Sequence, residues 1–510
     1  MASINRNNLL ENRPSYNEQL LSSKRRTRKL AKLYNELAQN EENIPSYTHQ
    51  QYDDSFEQKQ NWCIGKLSSE FVDRWPSHAT ERRQIGREAE YPIVDKNGLC
   101  GDARLVLYRL LEMYDSLEPI YEEMMEGQRC LSKLKGMSLE FCLEVGLGVI
   151  EMITDPCPDL HTICTVHENG LSMLRNACDS LEYRILGYGT QPISTISPEL
   201  MTPKIRYHKL VEVLGDMWYS FEPTASDQAH IDVEKEELIQ VLNIASLLTP
   251  VVVSLMANSP IVSGKLTPWI SSREGMMGGI DVQANRHGMP RNCYRDLEDW
   301  LRQICHLDYI IKIDKTTGET CAPQFTSDQR DKTKRPFIDY LTAEKATFDD
   351  FETHEHYVWH SVRPRWRYGT VELRAACQQP HDEHMAACAL SLGIVEAAGA
   401  IEKWLLLQAP LQYWFQLLHA CHPFVLAHGM TFRKHLPKEE AQRLDFDFES
   451  FVGHILAFVE QALETRGLGE QIYLQPVLRR FAERKSPAQT AVEIAKRKGV
   501  RGLIRHAAQT

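Results

Sequence analysis

Four glutamates stand among apolar neighbours, and they are the first feature of this sequence that suggests chemistry. They are Glu88, Glu90, Glu151 and Glu372. Side chains alternate between the two faces of a strand, so Glu88 and Glu90 would share one face of a strand over residues 84–95. Glu151, inside the apolar run 149–154, would be costly to bury without a partner. The pattern therefore predicts carboxylates gathered on the polar face of a sheet.

The segment around Glu372 adds positive charge to that face. Residues 363–376 read Arg-Pro-Arg-Trp-Arg-Tyr-Gly-Thr-Val-Glu-Leu-Arg-Ala-Ala, and alternation points Thr370, Glu372 and Arg374 the same way. Three more arginines lie just upstream, at Arg363, Arg365 and Arg367. A carboxylate beside guanidinium groups suits a polyanion that is handled together with a divalent cation. The alternative is a strand whose outer face is merely solvated.

Carboxylates that share a cavity cannot all ionise unaided. Two like charges about 4 Å apart repel by roughly 4 kcal/mol at an effective dielectric constant of about 20. Divalent cations remove this conflict, and oxygen ligands select Mg²⁺ or Mn²⁺ over zinc. The stretch 228–232 also alternates and places Gln228, His230 and Asp232 on one face. The sequence thus predicts a metal-assisted site, although a single histidine there could be purely structural.

Motifs of other chemistries are absent from the sequence. It contains no G-x-x-x-x-G-K-[ST] phosphate loop, no G-x-S-x-G elbow and no H-E-x-x-H helix. The glycine-rich loop 186–192 is a weak phosphate signal by itself. Closely spaced histidines such as His381 and His384 leave a structural zinc site open, but a ligand set with cysteine partners is missing.

Composition bounds the class of protein. The chain has 510 residues, 25% of them charged and 43% hydrophobic, with a net charge of −11. This charge argues against nucleic acid and anionic membranes as partners. The 13 cysteines form no C-x-x-C pair, and the N-terminus lacks an apolar signal core, so we expect a reduced, cytoplasmic protein. The apolar stretch 244–262 is interrupted by polar residues and predicts a buried helix followed by a turn.

The order of patterns along the chain predicts three regions. Residues 1–80 read as a helical N-terminal extension with a basic run, 81–400 as the catalytic core, and 401–510 as a helical C-terminal region. Within the core we predict helices over 102–116, 234–257 and 384–407 and a strand over 308–314. The oligomeric state is left open, a homodimer included.

Several short motifs occur in an order that resembles a known family. They are Gly-Arg-Glu-Ala-Glu-Tyr-Pro at 86–92, Ile-Glu-Met-Ile-Thr-Asp-Pro at 150–156, Ala-Asn-Ser-Pro at 257–260, Ser-x-Arg at 271–273, Arg-Pro at 363–364, Gly-Thr-Val-Glu-Leu-Arg at 369–374, Arg-Gly-Leu-Gly-Glu at 466–470 and Ser-Pro-Ala at 486–488. Together they resemble the second glutamate–cysteine ligase family, a group of carboxylate–amine ligases. The resemblance covers about 84 to 500.

The resemblance implies an α+β protein with a glutamine-synthetase-like core, in which a curved antiparallel sheet surrounds the active site and helices lie outside. It implies ATP-dependent joining of a carboxylate, typically the γ-carboxylate of glutamate, to an amine. Cysteine is the default amine, as in glutathione biosynthesis, and the partners are therefore small-molecule substrates. Another acceptor amine, an amine kinase with the same sheet, and a non-catalytic relative remain alternatives.

The resemblance also implies roles for individual residues. The metals, Mg²⁺ or Mn²⁺, would be held by Glu88, Glu90, Glu151 and Glu372. Arg374 and Arg363 would contact phosphate, Arg273 the substrate carboxylate or a phosphate, and Gln228 and His230 would lie beside the nucleotide or the metals. Arg374, Arg273 and Glu372 are then the catalytic residues, and we expect Glu372→Ala to abolish turnover and leave the fold intact. The sequence departs from the family pattern at Gln191, Gln228, Pro268 and Met277.

Overall fold

A computed structural model describes residues 54–77, 82–277, 286–314, 320–321, 336–343 and 346–508. The strands in this part of the chain are β1 (Ile85–Val94), β2 (Glu118–Glu123), β3 (Arg129–Lys135), β4 (Leu139–Leu143), β5 (Val149–Cys157), β6 (Arg184–Ile185), β7 (Asp227–Asp232), β8 (Ile261–Val262), β9 (Lys265–Leu266), β10 (His287–Gly288), β11 (Lys312–Ile313), β12 (Thr320–Cys321), β13 (Trp359–His360), β14 (Val362–Arg365) and β15 (Thr370–Leu373). The α-helices are α1 (Asp54–Arg74), α2 (Ala103–Met113), α3 (Leu160–Ser180), α4 (Ile205–Leu214), α5 (Leu238–Leu247), α6 (Thr249–Met256), α7 (Ser272–Met277), α8 (Leu297–Cys305), α9 (Phe337–Ala343), α10 (Phe348–His356), α11 (Ala386–Leu406), α12 (Leu411–His428), α13 (Lys438–Arg443), α14 (Phe448–Thr465), α15 (Gln475–Glu483) and α16 (Pro487–Ala507).

One antiparallel sheet organises these elements. Its strand order is β14-β15-β7-β1-β5-β4-β3-β2, with the short β6 added at the end of β1, which makes nine strands among the described residues. β1 is central and pairs with both β5 and β7. Helices pack around the sheet, so the predicted α+β class with an antiparallel core is confirmed.

The sheet has one face that is covered by helices. Ala89, Tyr91 and Met152 lie in an apolar core with α2 and α3. The other half of the same face, which includes Ala229 and Val371, packs against α5 and α11. This arrangement follows from the alternation in the strands, because every second residue of β1, β5, β7 and β15 is apolar apart from Arg87, Thr154 and Asp227.

A buried ion pair interrupts this apolar face. Arg87 Nε donates to Asp227 Oδ1 at 2.8 Å and Nη2 donates to Oδ2 at 2.8 Å, and both side chains are completely shielded from solvent. Arg87 Nη2 also donates to the carbonyl oxygen of His384 at 2.7 Å. The pair ties β1 to β7 and to the residues just before α11.

Asp227→Ala should lower the free energy of unfolding by about 3–5 kcal/mol, because it leaves the Arg87 charge buried without a counter-ion. The double variant Arg87→Met/Asp227→Leu should lose less than this single variant, because it removes both charges. Chemical denaturation of the two variants and of the wild type measures the difference. A double variant that is less stable than Asp227→Ala would contradict the explanation.

One helical stretch among the described residues, His381–Leu406, is long and apolar enough to cross a membrane, and the bent pair α5–α6 passes the same test when taken together. The most apolar window of His381–Leu406 is 83% buried inside the protein. It therefore packs as the central helix of the core, in contact with the sheet.

Most predicted elements of the core are confirmed, with three changes. The predicted helix 234–257 is two helices, α5 and α6, bent by 49° at a break beside Thr249-Pro250, because proline lacks an N–H for a continuous helix. The predicted strand 308–314 is reduced to β11. Residues 363–376 form a hairpin of β14 and β15, turned at Gly369 with a φ of +67°.

The predicted domain limits remain predictions, but two structural facts bear on them. Residues 1–53 lie outside the described residues. Helix α1, which falls inside the predicted extension, buries Ile64, Leu67 and Phe71 in the main core. The limit at residue 400 falls inside α11.

Candidate active site

The register of the sheet lines up the predicted residues on its polar face. The facing pairs are Glu90 with Glu151 (β1–β5), Glu88 with Gln228 (β1–β7), His230 with Glu372 (β7–β15) and Glu372 with Arg363 (β15–β14). Side chains at facing positions in an antiparallel pair point to the same side. The structure thus brings all the predicted strand residues onto one face. Arg374 and Arg273 reach it from just after β15 and from α7.

Three of these residues are arranged as metal ligands. Donor atoms of Glu88, His230 and Glu372 all lie within 4.8 Å of one another. His230 Nε2 is 3.0 Å from Glu88 Oε1 without the alignment of a hydrogen bond. The two carboxylates suit Mn²⁺ or Mg²⁺, and the imidazole favours Mn²⁺, the transition metal of the two. Glu90 and Glu151 lie outside this group, although both were predicted as ligands together with Glu88 and Glu372.

Glu372 is held by three guanidinium groups. Arg363 Nε donates to its Oε2 at 2.8 Å, Arg365 Nε lies 3.5 Å from the same oxygen, and Arg374 Nη1 contacts Oε1. Burial alone would raise the pKa of Glu372, but the three arginines outweigh burial and hold that pKa well below its usual range. The carboxylate is therefore ionised at neutral pH, and it keeps three guanidinium groups in place.

Glu90 and Glu151 form a second acidic group. Glu90 accepts hydrogen bonds from the Ser226 amide at 2.7 Å and from Gln228 Nε2 at 3.2 Å, yet burial and the neighbouring Glu144 raise its pKa to about 7. For Glu151, burial and then the charges of Glu144, Glu88 and Glu90 raise the pKa well above the usual value. Carboxylates in such surroundings favour a bound proton or a cation.

Arg273 reaches the site through the backbone of Arg374. Its Nη1 donates to the Arg374 carbonyl oxygen at 2.9 Å and also pairs with Glu274, while its Nε is buried without a partner. Glu274 was not predicted. It pairs with the Arg273 guanidinium, and burial raises its pKa against the opposing effect of Arg273 and Arg374.

Several buried polar atoms around this face have no hydrogen-bond partner. Among the described residues they include Gln228 Oε1, His230 Nε2, Arg273 Nε, Arg206 Nε, Glu355 Oε1, both ring nitrogens of His287, Ser361 Oγ and Thr370 Oγ1. Native interiors leave few such atoms unpaired. Their presence around one face indicates a site that is built for polar ligands.

Sequence patterns missed the residues that other elements bring to the site. Glu144 follows β4, Lys204 and Arg206 begin α4, and Glu355 lies near the end of α10. None of them belongs to a strand with alternating polarity, so no local signal marks them. Only the contacts between distant segments reveal them.

The structure also bears on the zinc site that the sequence left open. A second group of three potential ligands, Cys164, Glu168 and His384, could hold zinc by distance. However, Arg87 Nη1 lies 3.2 Å from His384 Nδ1. Arginine only donates, so Nδ1 accepts and the proton of the neutral ring sits on Nε2, where the metal would bind. We therefore reject this group as a zinc site.

The glycine-rich loop 186–192 has a structural explanation. A Cβ at Gly187 would lie 2.8 Å from the Gln379 carbonyl oxygen, so only glycine allows this close approach. Asn258 Nδ2 donates to the carbonyl oxygens of Gly187 and Gln378 at 2.9 Å each. The loop thus packs against the backbone before α11, which explains the glycine.

Comparisons with known proteins agree with this geometry. Residues 111–502 match the family described as "Glutamate-cysteine ligase family 2(GCS2)". Glutamate–cysteine ligase A of rice (Oryza sativa subsp. indica), a chloroplastic protein, is 24% identical over 356 residues, which cover 66% of this chain and 63% of the rice protein. Glutamate–cysteine ligase EgtA of Mycobacterium tuberculosis is 26% identical over 171 residues, 32% of this chain and 38% of that protein. The matched stretch thus spans less than two thirds of these relatives.

A solved structure shows the same fold. Glutamate–cysteine ligase of Francisella tularensis, in complex with AMP, aligns with a TM-score of 0.51 at 12% identity and covers 84% of this chain and 88% of that one. The fold is therefore the glutamine-synthetase-like α+β type. Because the family match extends over most of the sequence, this chain belongs to glutamate–cysteine ligase family 2.

Proposed function

We propose that this protein is an ATP-dependent ligase that activates the γ-carboxylate of glutamate as an acyl phosphate and joins it to an amine, with cysteine as the default acceptor. One observation carries the proposal. The buried Glu372 holds Arg363, Arg365 and Arg374 beside the carboxylates of β1 and β5, all on one face of the sheet. Membership in the family and the AMP complex of the Francisella tularensis ligase support the use of ATP.

The arginines supply positive charge where a phosphoryl group would be transferred. Arg363 is buried and is fixed by the His356 carbonyl oxygen at 3.0 Å as well as by Glu372. The Arg374 side chain pairs with Glu372, and the Arg374 carbonyl oxygen accepts a hydrogen bond from the Arg273 side chain. Charge that shifts among the phosphate oxygens is best stabilised by hydrogen-bond donors that are already in place. The guanidinium groups of Arg363 and Arg374 are held in this way.

The acidic residues fit divalent cations. Glu88, His230 and Glu372 would hold one, and Glu90 and Glu151, which face each other on β1 and β5 in a buried position beside Glu144, could hold another. Mg²⁺ or Mn²⁺ would supply neutralisation of the phosphate oxygens during transfer.

A cavity beside Arg365 suits the nucleoside. It has a volume of about 450 Å³ and is lined by Glu355, Trp366 and Tyr368, among others. Glu355 is 4% exposed and its Oε1 has no partner, so it can accept a hydrogen bond from a ribose hydroxyl or from the adenine amino group. The ring of Tyr368 is 59% exposed and can stack on a base. A nucleoside here would direct its phosphates towards Arg365.

The chemistry follows from the weakness of a carboxylate as an electrophile. One oxygen of the γ-carboxylate attacks the γ-phosphorus of ATP, and the bond to ADP breaks. The acyl phosphate then has a good leaving group. The neutral amine adds to its carbonyl carbon, loses a proton, and the tetrahedral adduct expels inorganic phosphate. No covalent bond to the protein is required.

The test is release of inorganic phosphate from ATP with Mg²⁺ and glutamate present, measured across a panel of amines. We expect release that depends on both the acid and the amine. Signal with cysteine supports the default acceptor, and signal only with another amine changes the acceptor but retains the ligase. ADP without phosphate would indicate a kinase, and no turnover with any amine would overturn the proposal. The cytoplasmic location and the lack of a membrane or nucleic-acid partner remain predictions.

A further inference from the structure

The polar face of the sheet carries a thiol beside the acidic group. Cys142 lies on β4, where side chains alternate between the two faces, so Phe141 and Leu143 enter the apolar core and Cys142 points to the polar face. The register of the sheet places Cys142 directly opposite Glu151 of β5. A free cysteine normally behaves as a small apolar residue. Its position next to a buried carboxylate therefore calls for a physical explanation.

The thiol contacts the carboxylate directly. Cys142 Sγ lies 3.3 Å from Glu151 Oε2 in the geometry of a hydrogen bond. No other hydrogen bond to the Glu151 side chain is found among the residues that the structure describes. By contrast, N–H donors hold the side chains of Glu90 and Glu372. Glu151 therefore depends on a thiol for its orientation.

The charged neighbours of the thiol leave this contact undisturbed. Lys133 faces Cys142 from β3, but its Nζ donates to Glu140 Oε2 at 2.5 Å. Lys204, which is also near the thiol, donates from Nζ to the Leu143 carbonyl oxygen at 2.8 Å. Both ammonium groups thus bind other oxygens, and the Glu151 carboxylate is left to the thiol and to a cation.

A cation on Glu151 sets the direction of the hydrogen bond. The carboxylate is then ionised and only accepts, so the thiol donates its S–H. The thiol occupies Oε2 of Glu151, and Oε1 is the oxygen available to the cation. Mg²⁺ and Mn²⁺ prefer oxygen to sulfur as a ligand, so the sulfur stays outside their coordination shell. Donors that fix a ligating carboxylate from outside the shell are a general feature of metal sites.

We propose that Cys142 is a positioning residue for a divalent cation, Mg²⁺ or Mn²⁺, at the acidic group: its thiol donates to Glu151 Oε2 and keeps the other oxygen ready for the cation. Cys142 acts through Glu151 and touches neither the cation nor the substrates. This inference rests on the proposed function, because it assumes that Glu90 and Glu151 bind one of the cations that the ligase requires.

Titration with Mn²⁺ alone tests the inference without turnover, with electron paramagnetic resonance as the measure of free Mn²⁺. Cys142→Val removes the donor and fills the space of the thiol, so water cannot replace it. We expect the affinity of one class of Mn²⁺ sites to fall about 10–100-fold. Cys142→Ser keeps a hydroxyl donor and should stay within about threefold of the wild type. Equal losses in the two variants would contradict the proposal.

A double variant shows whether Cys142 acts through Glu151. Glu151→Gln should weaken Mn²⁺ binding by itself, and the addition of Cys142→Val should change the affinity by no more than about a factor of two, because the contact is already lost. Losses that simply add would show an independent role and overturn the proposal. Cys130→Val on β3 is the matched control, because Cys130 packs against the apolar core two strands away from Glu151. This control should bind Mn²⁺ as the wild type does.

The rate of phosphate release gives a second readout. Cys142→Val should raise the Mg²⁺ concentration for half-maximal rate about 10–100-fold. It should leave kcat at saturating Mg²⁺ within about threefold of the wild type, because the thiol does not touch the reacting atoms. A loss of kcat that saturating Mg²⁺ does not restore would contradict a role through the cation.

Cation binding and turnover together separate this inference from the ligase itself. If no amine supports turnover but Mn²⁺ binds and Cys142→Val weakens its binding, the positioning role stands and the ligase proposal fails. If turnover occurs and Cys142→Val binds Mn²⁺ as well as the wild type does, the positioning role is wrong and the ligase stands. A wild type that binds no Mn²⁺ would also overturn the positioning role.

Discussion

Glu372→Gln should lower kcat by about 10²–10³-fold while the protein remains folded, because an amide neither neutralises the arginines nor ligates a cation well. The carboxylate is the meeting point of Arg363, Arg365 and Arg374, and its oxygen also belongs to the potential metal group. Phosphate release measures the loss, and circular dichroism checks the fold. Glu449→Gln, which alters a surface pair with Arg484, is the control and should retain full activity.

The alanine variant should behave differently from the expectation based on sequence. We expected Glu372→Ala to leave the fold intact, but its removal leaves three buried or half-buried guanidinium groups without their carboxylate. Loss of one partner from a buried charge network costs about 3–5 kcal/mol. Glu372→Ala should therefore unfold at lower denaturant concentration than Glu372→Gln. Near-normal turnover in either variant would remove Glu372 from the mechanism.

Glu151→Gln should stabilise the metal-free protein and at the same time lower activity by about 10²–10³-fold. The reason is that burial, followed by the charge of Glu144, raises the pKa of Glu90 to about 7, and that burial and the charges of Glu144, Glu88 and Glu90 raise the pKa of Glu151 well above its usual value. An acid whose pKa is raised by folding stabilises the protein fully below its unfolded pKa. That contribution is lost as the pH rises through the folded value, here between about 4.5 and 7 for Glu90.

Thermal unfolding in a chelator, followed from pH 5 to pH 8, measures this effect. The wild type should lose stability across that range, and Glu151→Gln should lose less, by about 1–3 kcal/mol at pH 8. Millimolar Mg²⁺ or Mn²⁺ should restore the wild type more than the variant, because binding to the native state is stabilising. A variant that is less stable than the wild type at pH 8 would show that the carboxylates do not repel one another.

The residues on the polar face of the sheet were predictable because the alternation of polar and apolar residues within one strand shows which side chains share a face. The alternation around Glu88, Glu151 and Glu372 gave the correct polar face, and the register of β1, β5, β7 and β15 then brought it together. A short strand outside the main sheet has too few alternating residues for this reasoning. The predicted strand 308–314 is therefore longer than the observed strand β11. The limits of β11 are set by its two-residue pairing with β12, Lys312 with Cys321 and Ile313 with Thr320.

The contacts that complete the site could not be predicted from local patterns. Arg363 meets Glu372 because a turn at Gly369 folds one continuous arginine-rich stretch into a hairpin. Arg206 lies near Glu144 because the segment before α4 runs beside the end of β4. Both depend on long-range packing, and a helix start such as Lys204-Ile205-Arg206 gives no sign of what it faces.

The most direct measurement of the proposed chemistry follows an oxygen atom. Glutamate labelled with ¹⁸O in its side-chain carboxylate would be incubated with ATP, Mg²⁺, the protein and the amine that gives the highest rate. If the carboxylate oxygen attacks the γ-phosphorus, one labelled oxygen should appear in each inorganic phosphate released, as seen by mass spectrometry. Phosphate that carries no label during amide formation would contradict activation of the acid as an acyl phosphate.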